Sequence, residues 1–303
     1  MNIREEFLFS DVEKYLIQNI SSVIIGNRSE DERCNVILDK FRKTNARIIY
    51  IDYDKEKEKI LIQVQGMPSS MKPNVDSFSK FLIEAMKGAS ENVLVDLTSL
   101  QHAVIILLMY HFSQSIKPAR LFASYVKPQR YIAKDELGQY AFSSQIYEPS
   151  GIPGLIRQTR DHEIVIPFLG FEGERLNNII ESMSYESIIP IIGFPSEDPL
   201  WKFEALRNCM KVANNMSSNT EIKKCKASSI FDAFALLEDI RKTYPEKNYV
   251  LLPLGIRTHT AACGLWASKY KNVRIVFDYA TEMKKRSEGI GDIIIYHLSR
   301  FIT

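Results

Sequence analysis

The chain has 303 residues, 45% hydrophobic and 25% charged, which is enough for one large or two medium domains with a full core. Its 39 basic and 37 acidic residues leave a net charge of +2, which excludes the overall field that draws a protein to DNA, RNA or an anionic membrane. The four cysteines (Cys34, Cys209, Cys225 and Cys263) form no C-x-x-C pair, and they read as reduced core thiols of a cytoplasmic protein in preference to zinc ligands.

The opening stretch, MNIREEFLFSDVEKYLI, carries acids where an export signal carries bases, so export is not expected. The longest apolar run, residues 103–110, is too short to span a bilayer, and no membrane partner is expected. Apolar runs of strand length then alternate with amphipathic runs of helix length. That alternation predicts an α/β fold of two Rossmann-like three-layer units with mainly parallel sheets. In the first half, strands are predicted at 21–25, 46–52, 60–65, 92–97 and 120–126, with helices at about 30–43, 75–87 and 100–115. The charged turn in IDYDKEKEKILIQVQ also fits a hairpin, which would make the first sheet mixed. From Lys127 to Asp161 the residues Pro128, Pro149, Gly151, Pro153 and Gly154 break any period, and the stretch reads as a linker or elaborated loop. The second half predicts strands at 163–169, 187–193, 221–225, 249–254, 273–278 and 292–298, with helices near 173–183, 200–215, 229–244 and 258–270. The expected division is an N-terminal domain over 1–127, a linker over 128–161 and a C-terminal domain over 162–303.

Ligands of open α/β sheets bind beyond the carboxyl ends of the strands, so the strand-to-helix turns are where chemistry is sought. PLGIRTHTA is the leading candidate. Gly255 ends an apolar strand, and Arg257, Thr258, His259 and Thr260 add donors to the unpaired N–H groups of a helix start, which outlines an anion site. A plain helix N-cap by Thr258 or Thr260 explains the same residues. The spacing matches neither a Walker P-loop nor G-x-G-x-x-G, so no nicotinamide or other cofactor is implied. In GFEGER, Glu172 and Glu174 either complement the helix dipole or accept ribose hydroxyls. In VDLTSLQHA, Asp96 and Thr98 either cap the next helix or meet a ligand hydroxyl. Near the C-terminus, Lys284, Lys285, Arg286 and Ser287 precede Gly289 and Gly291. This reads as a flexible basic loop on the same sheet edge as Arg257, and so as a second wall of a pocket for a phosphorylated ligand; a solvated surface loop is the alternative. Arg157 to His162 matches an R-x-x-x-x-H ribonuclease spacing, but it falls in the linker and not in a helix.

The turns Val95-Asp96-Leu97-Thr98-Ser99 and Pro253-Leu254-Gly255-Ile256-Arg257-Thr258 each echo part of a D-x-T-G-G-T-K-like turn. In this the chain resembles the CARF and SAVED group of Rossmann-like sensor domains from prokaryotic CRISPR and antiphage systems. The first turn lacks the family's two glycines and lysine, and the second carries Arg257 at a small-residue position. The resemblance implies binding of a nucleotide or cyclic oligonucleotide, with Thr98, Arg257, Thr258 and Arg286 at matching or nearby positions. No segment resembles a HEPN-type effector, which implies a sensor or accessory subunit acting through a protein effector partner; homo-oligomer formation is left open. Two other readings stand. One is a phosphoribosyltransferase-like or other nucleotide-processing enzyme, although Leu252-Pro253-Leu254 sits where such enzymes place paired acids. The other is a non-catalytic scaffold.

Overall fold

The computed structural model describes all residues except 1–4, 28–30, 55–58, 68–69, 72–76, 87–90, 137, 139, 153–160, 214–220, 284 and 303. The described residues form an α/β fold with two large, mostly parallel sheets and eight α-helices, as the alternation of apolar and amphipathic runs predicts. The charged tip at 55–58, Pro153, Gly154, Arg157 and Lys284 lie outside the described residues. The chain divides into two compact units, Met1–Arg130 with Ser287–Thr303, and Tyr131–Arg286.

The first unit contains β1 (Glu6–Leu8), β2 (Ser22–Ile25), β3 (Arg47–Asp54), β4 (Lys59–Val64), β5 (Asn92–Asp96), β6 (Arg120–Tyr131) and the last strand of the chain, β16 (Ser287–His297). Their order is β1-β16-β6-β5-β2-β3-β4. β3, β2, β5 and β6 are successive parallel neighbours, whereas β3 and β4 form an antiparallel hairpin that makes the sheet mixed. β2 is buried along its whole length because it is covered on both faces, so it reads as a continuous apolar run. β4 instead alternates, burying Ile60, Ile62 and Val64.

Helix α1 (Phe9–Asn19) lies outside the predicted helices; Phe9 and Leu16 form its buried stripe and pack with Val23, Phe41 and Ile295. Full burial of such side chains contributes about 1.5–3 kcal/mol each. Helices α2 (Arg33–Phe41), α3 (Phe78–Met86) and α4 (His102–His111) follow. The last is buried from Ala103 to Met109 and runs into a π-helical turn closed by Lys117 in the left-handed region.

The second unit comprises β7 (Ser143–Gln145), β8 (Ser150–Gly151), β9 (Glu163–Phe168), α5 (Gly173–Glu181), β10 (Ser187–Ile188), β11 (Ile191–Gly193), α6 (Trp201–Ala213), β12 (Lys223–Cys225), α7 (Ile230–Thr243), β13 (Asn248–Pro253), α8 (Arg257–Lys269), β14 (Val273–Phe277) and β15 (Thr281–Glu282). Its main sheet runs β12-β11-β9-β13-β14-β8, with β10 beside β9 and a separate β15-β7 pair. α5 packs with α6, and α7 with α8. The predicted strand at 187–193 breaks into β10 and β11 around Pro190, which has no N–H for a ladder.

Two expectations differ from what is seen. The stretch 128–161, expected as a linker, supplies the end of β6 together with β7 and β8. The loop expected around Gly289 and Gly291 is the first part of β16, so Ser287–Thr303 belongs to the first unit and not to a domain over 162–303. Gly289 takes φ +76 and a Cβ on Gly291 would stand 3.1 Å from the Lys127 carbonyl oxygen, so both glycines serve a close strand approach and not a flexible turn. Among the described residues no helix is long and apolar enough to cross a membrane.

Candidate functional site

In the second sheet the chain leaves β9 through α5 to β11 and β12 on one flank, then returns to β13 on the other flank and continues through α8 to β14. The strand order therefore reverses between β9 and β13, the position at which open α/β sheets bind ligands. The turns Leu169-Gly170-Phe171-Glu172 and Leu254-Gly255-Ile256 meet there backbone to backbone. A Cβ on Gly170 would lie 2.3 Å from the Leu254 carbonyl oxygen, and one on Gly255 would lie 3.0 Å from that of Leu169. The starts of α5 and α8, each with the positive end of its helix dipole, thus belong to one pair of touching turns.

Most side chains of the α8 start face inward. Arg257, Thr258, His259 and Thr260 are buried, while Gly255 is half-buried. Thr258 Oγ1 donates to the Ala227 carbonyl at 2.7 Å, and Thr260 Oγ1 reaches the Ile256 carbonyl at 3.5 Å. His259 Nε2 lies 3.5 Å from Cys225 Sγ and 3.3 Å from the Lys226 carbonyl, with its ring tilted against Phe168. Burial lowers the His259 pKa to about 4, so the ring is neutral at pH 7 and braces the turn. The thiols of Cys209 and Cys225 are pushed up to about 12 by burial, and that of Cys263 is also raised by burial, which makes none of them a ready nucleophile.

At the neighbouring turn, Glu172 Oε1 accepts the N–H groups of Phe142 and Ser143, both at 2.8 Å. Its Oε2 accepts the Ser143 hydroxyl at 2.8 Å and the Arg175 guanidinium at 3.3 Å. Glu174 is exposed in the first turn of α5, where its charge complements the dipole. Arg175 closes the same GFEGER turn, where the sequence leaves capping and a ligand role both open. It forks onto the fully buried Asp278 with two bonds of 2.6 Å. The available signal was the acid that ends the apolar run VRIVFD, placed like Asp96 at the end of NVLVD. Also unpredicted is a cluster of rings around Phe171, formed by Tyr131, Tyr140, Phe142 and Trp201.

The first sheet repeats this layout, with its order reversing between β2 and β5. A Cβ on Gly26 would lie 2.1 Å from the Ser99 carbonyl oxygen, and the Gly26 N–H donates to Ser99 Oγ at 2.9 Å. Asp96 accepts the N–H groups of Thr98 and Ser99 and the Ser124 hydroxyl, and Thr98 Oγ1 accepts the Val126 N–H. Asp96, Thr98, Ser99 and Ser124 are all fully buried, and this burial raises the Asp96 pKa above its ordinary value. Beside them Arg33 forks onto Asp31, which also accepts the Ser287 hydroxyl at 3.1 Å. Asp96, Thr98 and Ser287 thus have internal partners in the first unit. Arg286 belongs to the second unit, where its carbonyl accepts the Ile132 N–H at 2.9 Å. An open cleft of about 640 Å³ lies at the opposite, amino ends of the first sheet, between Gln18, Lys43, Arg47 and Glu91. Among the described residues no group of three His, Cys, Asp or Glu is placed to hold a metal ion.

No family model matches the chain, and no curated protein matches it. It is similar to a solved structure from Acinetobacter baumannii, the Cap4 receptor with SAVED and CARF domains in complex with the cyclic trinucleotide 2'3'3'-cAAA. The identity is 9% and the TM-score 0.39, over 93% of this chain and 53% of that one. This chain spans about half the length of that receptor chain.

Proposed function

We propose that the protein is a nucleotide- or cyclic-oligonucleotide-binding sensor that takes the phosphate of its ligand at the start of α8 and acts through a partner effector. The observation that carries this reading is the contact of the Gly170 and Gly255 turns at the order reversal of the second sheet, which sets two helix N-termini at one pair of strand ends. Because Thr258 and His259 point inward and the His259 and Thr260 N–H groups bond to the Ile256 carbonyl, the phosphate is taken by the N–H groups of the preceding turn and of Arg257 and by the helix dipole, with the Arg257 side chain adding charge. The resemblance of the Asp96 and Arg257 turns to CARF and SAVED sensors supports a role in prokaryotic defence.

Calorimetry with mononucleotides and with a cyclic adenosine trinucleotide tests the reading. Arg257 is the first residue of α8, and Ile256 before it is extended (φ −74, ψ 153), so proline fits at 257 without loss of the helix. Arg257→Ala removes the charge and Arg257→Pro removes the N–H as well. The expected result is binding without turnover, weakened about tenfold in the first variant and further in the second, with melting temperature as the control. Release of base or pyrophosphate would instead mark a nucleotide-processing enzyme. Unchanged binding in both variants would move the site away from α8.

A further inference from the structure

Five aromatic rings from well-separated parts of the chain meet in the second unit. Tyr131 lies 4.7 Å from Trp201 and 4.9 Å from Phe142, and Tyr140 lies 4.8 Å from Phe171, all between ring centroids. Trp201 is buried as the floor, whereas Tyr131, Tyr140, Phe142 and Phe171 are each half-buried. A core would enclose such rings fully; a surface that gathers several and keeps part of each open to solvent suits recognition. Its position is informative. Phe171 directly follows Gly170, whose backbone touches Leu254 at the α8 start, so the rings and that start share one pair of turns. The Phe142 N–H is bonded to Glu172 in the same turn, which fixes the rings to the strand ends instead of leaving them on a free loop. The exposed Lys134 places its ammonium over one face of the Tyr140 ring at 5.0 Å, which sets a cation among the rings. Aromatic rings with a cation among them fit a planar, electron-rich ring attached to an anion.

We infer that the Tyr131–Tyr140–Phe142–Phe171 surface is a stacking platform for the base of a bound nucleotide. This rests on the nucleotide-binding reading of the α8 start and adds the group that reading leaves unassigned. Stacking on aromatic side chains tolerates any base, so the platform favours nucleotides over sugar phosphates without selecting one base by hydrogen bonding.

The test compares three probes on the full chain: adenosine, AMP and ribose 5-phosphate, followed by calorimetry and tryptophan fluorescence. The only tryptophans are Trp201 and the fully buried Trp266, so Trp201→Phe identifies the reporting ring. Adenosine and AMP are expected to change the emission and Trp201→Phe to abolish the change; AMP is expected to bind about tenfold or more tighter than ribose 5-phosphate, the size of one base stack. Tyr140→Leu and Phe171→Leu should narrow that gap to about twofold without weakening ribose 5-phosphate. If either Leu variant fails to fold, the adenosine arm in the unmodified protein still decides. Adenosine and AMP that leave the Trp201 emission unchanged at millimolar concentration overturn the platform, whatever ribose 5-phosphate does. A response to adenosine with no binding of ribose 5-phosphate keeps the platform and overturns the phosphate site.

Discussion

The two sheets reverse their strand order in the same way, and each reversal brings a glycine against a carbonyl of the facing turn: Gly26 against Ser99 and Gly170 against Leu254. What stands on those turns differs. In the first unit Asp96, Thr98, Ser99 and Ser124 are fully buried and bonded to one another and to the backbone, so the strand ends are sealed by the protein's own polar groups. In the second unit the Leu254 turn, the counterpart of the Ser99 turn, is likewise turned inward through Thr258 and His259, whereas the Gly170 turn facing it carries the half-buried Phe171 and Glu172. Topology marks where a ligand can enter an open sheet. The residues that end the strands decide whether that place is already filled.

The ion pair of the second unit offers the strongest way to disturb this contrast. Arg175→Met leaves the buried Asp278 carboxylate without its fork, and a urea titration should show a loss of about 3–5 kcal/mol. In the first unit, Asp96→Ala orphans the N–H groups of Thr98 and Ser99 and the hydroxyl of Ser124. It should cost about 3 kcal/mol while leaving nucleotide affinity unchanged, since the polar groups of this turn are already bonded to one another and the proposed site lies at α8.

Two of the buried titratable groups, His259 and Asp96, should respond to pH in opposite senses. His259, with its pKa depressed from 6.5 to about 4, binds a proton more weakly in the folded than in the unfolded chain. Its contribution of roughly 3 kcal/mol is complete above pH 6.5 and lost as the pH falls towards 4, and His259→Phe should flatten melting temperature over that range. Asp96 is raised by burial, so its folded form holds the proton more tightly, and its effect is lost as the pH rises through the raised value. Smaller again are Gly26→Ala and Gly170→Ala, which should each cost about 1–3 kcal/mol by forcing the paired turns apart. Only Gly170→Ala should also weaken AMP.

Much of the fold is legible in the sequence because buried parallel strands such as SVII and NYVLLP are continuous apolar runs bounded by polar turns. The hairpin at 47–64 is legible too, since β4 alternates. What escaped was non-local. Gly289 and Gly291 look like loop residues until β16 is seen beside β6, and a strand that returns to an earlier sheet leaves no local mark of its destination. The turns were found at the strand ends, but the direction of their side chains was not: a Thr-His-Thr helix start reads as a row of donors, although Thr258 and His259 are turned inward. The ring platform was hidden because its members come from three separate segments, each with an unremarkable composition.

Hydrogen exchange of the full chain with and without a saturating cyclic adenosine trinucleotide bears most directly on the central claim. The account predicts added protection in peptides covering 169–175 and 254–262, with no change over 96–102. Protection confined to 96–102, or to neither region while the ligand is bound, would contradict it.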